Sequence, residues 1–370
     1  MNKIAYYLGL VLLVFSCQRP TEKDSSVYEI QYTLVQNGIS ETDYPVGLTV
    51  MSPQEAVLVA RVKNTYPHIQ TKLYKTADGG KNWEKVFSTI DWNADKIEER
   101  DGVLYVSNTK DLTAKAQTSE ILSSKDTGRT WRKVIDFDSK LLTVKAIEAS
   151  GIAVYLSSDN EKTSKGQTVY RLLVNNQDNE GWKDAGIDKS AGPNSICLSE
   201  KSAMCSAGYP YRIFRIGYKD LIKDTLVLNN LICPYQIIAG EDIIGIWNGK
   251  RADYFRVSGD SAVFMSRIRF RGSLTDHIPD RIHQCGDIVY TSVLVPGAQP
   301  DARMFISTDR AKSWTQIKTE CPLDKEYDRV WTPEGSSWFM AAYKDKMFSY
   351  CLGEKDGKRM DFIKTIQPKP

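Results

Sequence analysis

Residues 276–283 hold the densest group of side chains that could act as acids, bases or metal ligands. Two of the chain's three histidines lie there with two carboxylates and an arginine: Asp276, His277, Asp280, Arg281 and His283. Neutral imidazole and carboxylate suit both proton transfer and metal binding. The separations match no metal-binding motif, so we predict a polar surface loop, with neither a metal ion nor a cofactor. It is the best candidate surface site in the sequence.

A second group of charged side chains alternates with apolar ones. Arg267, Arg269 and Arg271 are separated by Ile268 and Phe270. Successive side chains of a strand point to opposite faces, so the three arginines would share one face. They could clamp an anion, but the simpler interpretation is a solvated strand face.

A repeated eight-residue pattern, Ser/Thr-x-Asp-x-Gly-x-x-Trp, indicates the secondary structure of the chain that holds the two charged groups. It occurs at residues 76–83 and 124–131, and again at 307–314 with Ala311 in place of the glycine. A hydroxyl and an Asp can hydrogen-bond a turning backbone, and Gly adopts a positive φ at low steric cost. Apolar, strand-like segments flank each copy. The pattern predicts three hairpin turns, of which the third is disfavoured by a positive φ at Ala.

These turns resemble the Asp-box, or BNR repeat, of β-propellers such as sialidases, photosystem assembly-factor-like proteins and sortilin-type receptors. The resemblance implies an all-β propeller of four-stranded blades, in which each Asp-box joins the outer two strands of a blade, away from the ligand-binding face. The residues that carry the resemblance are then structural: Asp78, Gly80, Trp83, Asp126, Gly128, Trp131, Asp309 and Trp314.

The spacing of the pattern agrees with a propeller. Trp83 and Trp131 lie 48 residues apart, and Trp182, in a degenerate copy, follows after 51 more. Trp314 lies 132 residues further on, which equals three intervals of 44. A propeller blade repeats about every 40 to 50 residues, so two units without the pattern are predicted between Trp182 and Trp314. The total is about seven blades, with six also allowed.

The segment before the first predicted blade offers a way to close the ring. Residues 28–34 alternate as a strand does. Pairing this strand with the last blade would cover an exposed sheet edge, and we expect that closure.

The N-terminus combines a basic residue, a short apolar run and a cysteine. Lys3 precedes an apolar run over residues 4–15, which is too short to span a bilayer and is typical of a signal peptide. Ser16 and Cys17 follow and resemble the lipobox, in which the cysteine is acylated and becomes the first mature residue. We predict a signal peptide over residues 1–16, a flexible tether over 17–27 from lipidated Cys17, and one propeller domain over 28–370.

Composition limits the classes of partner. Hydrophobic residues make up 41% of the 370 residues, which provides for one large core. The formal net charge of +3, without a basic tract, argues against nucleic acid. The expected partners of this monomer are the membrane, through the acyl anchor, and an envelope protein or glycan. The expected location is the bacterial cell envelope at the outer membrane, with the periplasmic and surface sides both open.

Six cysteines remain besides Cys17, and an even number in an exported chain permits disulfides. Cys197 and Cys205 flank a predicted hairpin turn and could oppose each other in a disulfide. Disulfides and buried thiols are both open for the other four: Cys233, Cys285, Cys321 and Cys351.

The resemblance assigns no catalytic residue. A sialidase of this kind binds the substrate carboxylate with three arginines and uses a Tyr–Glu nucleophile and an Asp acid/base. Its first Arg lies in a Phe-Arg-Ile-Pro motif before the first Asp-box. The nearest string here, around Arg215, lies in mid-chain and lacks the proline, so no role is transferred.

Two functions fit the sequence. The first is a membrane-anchored, non-catalytic binding or assembly lipoprotein whose propeller loops hold a protein or glycan partner. The alternative is a sialidase-like exo-glycoside hydrolase with diverged catalytic residues. A central pocket in which carboxylates converge with a Tyr or several Arg would favour the hydrolase.

Overall fold

The computed structural model describes residues 27–369 apart from several internal segments. The described ranges are 27–62, 70–90, 92–100, 102–110, 118–137, 140–147, 151–162, 168–176, 182–184, 195–198, 202–207, 212–217, 223–226, 236–240, 242–247, 251–258, 261–269, 278–295, 301–317, 329–331 and 340–369.

Every regular element within these ranges is a β-strand, so none of them contains a helix able to cross a membrane. The strands are, in chain order, β1 (Tyr28–Leu34), β2 (Asp43–Val50), β3 (Ala56–Val62), β4 (Gln70–Thr76), β5 (Glu84–Ile90), β6 (Asn93–Arg100), β7 (Val103–Lys110), β8 (Thr118–Ser124), β9 (Arg132–Phe137), β10 (Lys140–Ile147), β11 (Gly151–Lys162), β12 (Thr168–Asn176), β13 (Trp182–Asp184), β14 (Ser195–Leu198), β15 (Ser202–Ala207), β16 (Arg212–Gly217), β17 (Lys223–Leu226), β18 (Gln236–Ala239), β19 (Ile243–Trp247), β20 (Arg251–Ser258), β21 (Ser261–Arg269), β22 (Ile278–Cys285), β23 (Ile288–Val295), β24 (Asp301–Ser307), β25 (Thr315–Ile317), β26 (Arg329–Trp331), β27 (Met340–Tyr343), β28 (Lys346–Lys355) and β29 (Lys358–Pro368).

The described strands form antiparallel sheets that follow the chain order. Sheet 1 contains β2–β5, sheet 2 β6–β9, sheet 3 β10–β13, sheet 4 β14–β17, sheet 5 β18–β21, sheet 6 β22–β25, and sheet 7 β26–β29 with β1. In sheets 1–6 the strands lie side by side in sequence order, and we call them first to fourth. In sheet 7, β26 and β27 share the first place beside β28. Sheets 4 and 5 are the two units predicted between Trp182 and Trp314.

Neighbouring sheets contact each other through their first strands. Strand β2 contacts both β6 and β27, β6 contacts β10, and β18 contacts β14 and β22. The contact between β2 and β27 joins the first sheet to the last.

Strand β1 closes sheet 7 as its fourth strand. It pairs with β29 from Tyr28, opposite Pro368, to Leu34, opposite Phe362. The closure expected from residues 28–34 is therefore confirmed, and β29 is not left as a sheet edge. Residues 35–42 then lead from sheet 7 to sheet 1.

The core lies between the sheets. Tyr74 of sheet 1 packs in a buried cluster with Tyr350 of sheet 7, while Val57 on the other face of sheet 1 packs with Leu104 of sheet 2. Further clusters join sheets 5 and 6 and sheets 6 and 7. Because sheet 1 is buried on both faces, its strand β3 is a nearly continuous apolar run rather than an alternating one.

The three copies of the pattern form equivalent turns between third and fourth strands. Turn 1 (residues 76–83) joins β4 to β5, turn 2 (124–131) joins β8 to β9, and turn 3 (307–314) joins β24 to β25. In turn 2 the Ser124 hydroxyl accepts a hydrogen bond of 2.8 Å from the Gly128 N–H, and the Asp126 carboxylate accepts one of 2.9 Å from the Thr130 N–H. Turns 1 and 3 repeat both bonds at 2.8–3.0 Å.

Turn 3 keeps this geometry although Ala311 replaces the glycine. Arg310 and Ala311 both adopt a positive φ, of 59° and 62°. The indole N–H of Trp314 donates to the Ser266 hydroxyl at 2.9 Å, and that hydroxyl donates to the Ala311 carbonyl. In turn 2 the indole of Trp131 instead reaches the turn carbonyl directly, at 2.9 Å. A side chain of sheet 5 therefore helps to hold the strained turn.

The connections of each sheet lie at two opposite ends. Turns between first and second strands share an end with turns between third and fourth strands, because the strands are antiparallel. Hydrogen bonds join the two kinds of turn in sheet 1, from the Gly79 N–H to the Gln54 carbonyl, and in sheet 6, from the Arg310 N–H to the Asp287 carbonyl. We call this end the turn end, and the opposite end, where the first strands begin, the entry end.

Candidate functional site

Part of segment 276–283 is a strand. Residues 278–283 belong to β22, the first strand of sheet 6, while Asp276 and His277 lie outside the described residues. The predicted loop is therefore wrong for residues 278–283. The physical reason is that β22 pairs along its length with β23, so backbone hydrogen bonding decides the local structure rather than the polar composition. Asp280 and Arg281 consequently lie on the first strand of sheet 6.

Asp280 occupies a bulge that recurs in other first strands. The ladder skips one residue near the entry end of β2, β6, β10 and β22, and the residues skipped are Val46, Asp95, Leu142 and Asp280. A bulge leaves one residue outside the ladder and bends the strand, and bulges are common beside functional sites. These bulged strand ends mark the candidate functional site, and two of its four bulge residues are aspartates.

His283 takes part in the contact between sheets 6 and 7. Its Nε2 lies 2.8 Å from the carbonyl oxygen of Lys344, in the β27–β28 turn, and its ring stacks on Tyr290 with 6.5 Å between centroids. The Tyr290 hydroxyl donates to the carbonyl of Asp345 in the same turn at 2.7 Å. The described role of His283 is thus to position a turn. Segment 276–283 as a binding site stays a prediction.

A buried polar network joins sheets 1 and 7, and we call it the closure network. Its members are Asp43, Lys72, Tyr74, Tyr350, Arg359 and Asp361. On the side of sheet 1, the Tyr74 phenol donates to the fully buried Asp43 carboxylate, and the Lys72 ammonium lies 2.9 Å from it. Tyr74 and Lys72 are two residues apart on β4, so both point to the same face.

Arg359 connects the two halves of the closure network. It binds the Asp361 carboxylate with two hydrogen bonds of 2.7 Å, and the Tyr350 phenol donates to the same carboxylate at 2.5 Å. The guanidinium also donates to the backbone carbonyls of Asp43 at 2.7 Å and Glu41 at 3.1 Å. A single side chain thereby ties β29 to the start of β2.

Burial keeps the phenols of this network protonated. Desolvation, and then the hydrogen bond to Asp43, raises the pKa of Tyr74 above its ordinary value. Burial, and then the charge of Asp361, raises the pKa of Tyr350 likewise. A nucleophilic hydroxyl is activated when its proton is readily removed. The two phenols are therefore protonated and act as hydrogen-bond donors to Asp43 and Asp361.

Sequence reasoning missed the closure network because its residues share no motif. Asp43 and Asp361 lie at opposite ends of the domain's sequence, and the long-range contacts between sheets 1 and 7 bring their strands together. The raised pKa values depend on burial, which no local pattern shows.

The arginine face of β21 is partly neutralised. Arg267 lies opposite Asp253 and binds its carboxylate with hydrogen bonds of 2.6 and 3.0 Å. Ile268 is buried and Arg269 is exposed, so the alternation predicted for this strand is present there. Arg271 lies outside the described residues. With Arg267 held by Asp253, the described residues favour the solvated strand face over an anion clamp.

The two cysteines of the predicted hairpin are not opposed. Strand β14 places Cys197 opposite Met204, and Cys205 opposite Ile196. Loop length sets the register of a hairpin, and a shift of one residue changes the partner of every position. The expectation that they oppose each other is wrong, while the disulfide itself stays a prediction.

Of the other cysteines, Cys285 and Cys351 are thiols, and Cys351 is buried. Cys17, Cys233 and Cys321 lie outside the described residues.

A shallow cleft beside turn 1 is lined mainly by apolar side chains of sheets 1 and 7, among them Leu48, Val50, Phe348 and Ile363. It encloses about 260 Å³, including space open to solvent. Pockets for small-molecule ligands are typically about 300 to 1,000 Å³ and more enclosed. The cleft is therefore smaller and more open than a typical ligand pocket.

Neither a protein-family model nor a curated protein matches this chain, whereas solved structures match its fold. YCF48 from Cyanidioschyzon merolae superposes with a TM-score of 0.51 at 12% identity, over 91% of this chain and 98% of that one. The β-propeller domain of the Trilobed protease from Pyrococcus furiosus superposes with a TM-score of 0.54 at 8% identity, over 89% and 94%. Acylaminoacyl peptidase from Pyrococcus horikoshii gives 0.54 at 9% identity, over 86% of this chain and 52% of its own.

Identities this low carry the fold and nothing about function. The sheets that follow one another along the chain, with their antiparallel order, agree with the architecture of these neighbours. The chain is an all-β protein of the β-propeller type.

Proposed function

We propose that turns 1, 2 and 3 are Asp-boxes and that each of the seven sheets is one blade of a seven-bladed propeller. The support is repetition in the register. Each turn joins a third strand to a fourth, and the fourth strands β5, β9 and β21 each carry a bulge, at Val86, Val134 and Met265. Such recurrence is expected when one supersecondary unit is repeated along a chain.

The domain is attached to the bacterial outer membrane through acylated Cys17, as a lipoprotein. The test is a Cys17→Ser variant, which should take up no acyl label and should leave the membrane fraction. A Cys285→Ser variant is the control, because Cys285 is a partly buried thiol within the domain and its loss should change neither readout. An unlabelled wild type with a membrane-bound Cys17→Ser variant would contradict the anchor.

The anchored propeller is a non-catalytic binding or assembly protein for an envelope protein or glycan. The closure network carries this proposal. Its two Tyr–carboxylate pairs are the kind of groups from which a sialidase nucleophile is built, yet both phenols have raised pKa values and donate to a carboxylate of their own sheet. Arg359 then joins the two sheets. Because these groups serve to close the domain, the partner is bound by loops and strand ends of one face.

The partner binds at the entry end, where first strands bulge. The support is that bulges recur in four sheets at that end. At the turn end, the tryptophans of turns 1, 2 and 3 instead pack on aromatic rings of neighbouring sheets. This assignment also agrees with the Asp-box propellers that the turns resemble, whose ligand face lies away from the Asp-boxes.

Site-specific cross-linking in membranes of the native source tests the proposal. A photo-cross-linker at Lys358, exposed beside the β28–β29 turn at the entry end, should capture one stoichiometric partner. The matched control carries the cross-linker at Lys125, exposed in turn 2, and should not capture it. Capture from Lys125 alone would contradict the assigned face, and hydrolysis of a sialoside by the purified chain would favour the glycosidase instead.

A further inference from the structure

The chain enters the propeller at the turn end. In sheets 1, 2 and 6 the third strand leads to the fourth through turns 1, 2 and 3. In sheet 7 the third strand is β29 and the fourth is β1, so the corresponding junction is open. Both described chain ends meet there, with the Lys369 N–H donating to the Val27 carbonyl at 3.0 Å. The place where residues 17–26 join the domain is therefore equivalent to the three turns.

Packing holds this point of entry in place. Tyr28 is 4% exposed and belongs to a buried cluster with Tyr290, Met304 and Ile317 of sheet 6. It thus packs on the preceding sheet, as Trp314 of turn 3 packs on Tyr254 of sheet 5 with 4.5 Å between ring centroids.

Exposed bases lie at matching positions of the same end. The residue that follows Gly80, Gly128 or Ala311 is a base in each turn, and all three bases are exposed: Lys81, Arg129 and Lys312. Together the three turns contain five bases and three carboxylates. The carboxylates of Asp78, Asp126 and Asp309 accept hydrogen bonds from within their own turns, while the bases project into solvent.

We propose that the turn end is the surface that docks on the membrane, with Lys81, Arg129 and Lys312 lying against anionic lipid headgroups. The inference rests on the proposed acylation of Cys17. Residues 18–27 span at most about 35 Å when fully extended, so the anchor keeps the domain near the bilayer. Because the tether joins the turn end, docking there presents the entry end to a partner away from the membrane.

Lysine accessibility in vesicles tests this orientation. The acylated full-length chain is reconstituted into phosphatidylglycerol-containing vesicles and into neutral phosphatidylcholine vesicles, then pulsed with an amine-reactive reagent. Lys125 and Lys344, exposed at the turn end, should react about fivefold more slowly on the anionic vesicles, the factor that corresponds to about 1 kcal/mol of attraction per base. Lys355 and Lys358, exposed at the entry end, should react equally in both. Raising the salt concentration should remove the difference.

Charge reversal supplies the matched comparison. The triple variant Lys81→Glu, Arg129→Glu, Lys312→Glu should lose the protection of Lys125 and Lys344. The control variant makes the same charge change at the entry end, with Arg269→Glu, Lys355→Glu and Lys358→Glu. In this control, Lys125 and Lys344 should remain protected. Equal labelling of both ends on a vesicle-bound wild type, or protection of the entry end, would overturn the orientation alone. A wild type that takes up no acyl label and does not bind vesicles would refute the anchor itself.

Discussion

Arg359 donates a hydrogen bond of 2.7 Å to the backbone carbonyl of Asp43, across 316 positions of the sequence. Arg359 lies near the start of β29 and Asp43 begins β2, so this bond joins the last sheet to the first. The same guanidinium binds Asp361 through two bonds. One well-anchored side chain thus reinforces the closure made by the β1–β29 pairing and the contact between β2 and β27.

Replacing Arg359 should weaken the whole domain. Arg359→Met leaves the Asp361 carboxylate, whose side chain is 8% exposed, without its bidentate partner. Removing one member of a buried ion pair typically costs about 3 to 5 kcal/mol, and we expect a loss of about 3 kcal/mol in the free energy of unfolding. Denaturant unfolding measures it. Lys358→Met, at the exposed neighbouring position, should change stability by less than about 0.5 kcal/mol. Equal effects of the two changes would contradict the role of Arg359.

The phenols of Tyr74 and Tyr350 should ionise only in strong alkali. Their folded pKa values are raised, so the stability they contribute is present below the unfolded pKa of about 10 and is lost as pH rises through the folded pKa. A spectrophotometric titration of phenolate should show late-titrating groups, and Tyr74→Phe and Tyr350→Phe should each remove one. If either substitution instead removed a phenol that titrates at or below pH 10, that tyrosine would be activated, and the prediction would be wrong.

Two turn glycines with the same φ should differ in their tolerance of alanine. Gly80 and Gly128 have φ values of 92° and 91°. A Cβ at Gly80 would lie 2.4 Å from a side-chain carbon of Ile363, whereas at Gly128 the nearest atom is 3.6 Å away. Gly128→Ala should cost about 1 kcal/mol through backbone strain alone, and Gly80→Ala about 3 kcal/mol because overpacking is added. Thermal unfolding of the two variants compares them, and a smaller loss for Gly80→Ala would be inconsistent with the packing of turn 1 on sheet 7.

Acid should destabilise turn 3 through Asp309. Burial acts to raise its pKa, but hydrogen bonds from Ser313 and Ser307 outweigh burial and leave the pKa below its ordinary value. The contribution is therefore present above the unfolded pKa of about 3.9 and is lost as pH falls through the folded pKa. Unfolding free energies measured between about pH 5 and pH 2 should fall more steeply for the wild type than for Asp309→Asn. Parallel curves would exclude this contribution.

Local patterns predicted much of the fold. The turns at residues 76–83, 124–131 and 307–314 form where the pattern placed them, because their hydroxyl, carboxylate and positive-φ residues act within eight positions. The tryptophan spacing also predicted two units in the part of the chain that forms sheets 4 and 5, and alternation predicted the closing strand β1. The loop predicted for residues 278–283 was wrong. Their polar composition favours a loop, but pairing with β23, which no local pattern shows, makes them a strand.

Less of the candidate site than of the fold could be predicted from the sequence. Asp280 and Arg281 attracted attention by their type, but the bulge at Asp280 is visible only in the register of β22 against β23. The opposition of Cys197 and Cys205 was wrong for a similar reason, since the register is one residue away from it.

The sequence by itself determined the strand-forming segments, the three turns and the order in which the strands follow one another, because these depend on contacts over a few residues. Only the tertiary structure decided which sheets are in contact, that Arg359 binds the Asp43 carbonyl, and that the chain enters the domain at the turn end. Those outcomes depend on burial and on contacts such as the one between Arg359 and Asp43, 316 positions apart, and such long-range contacts leave no local pattern.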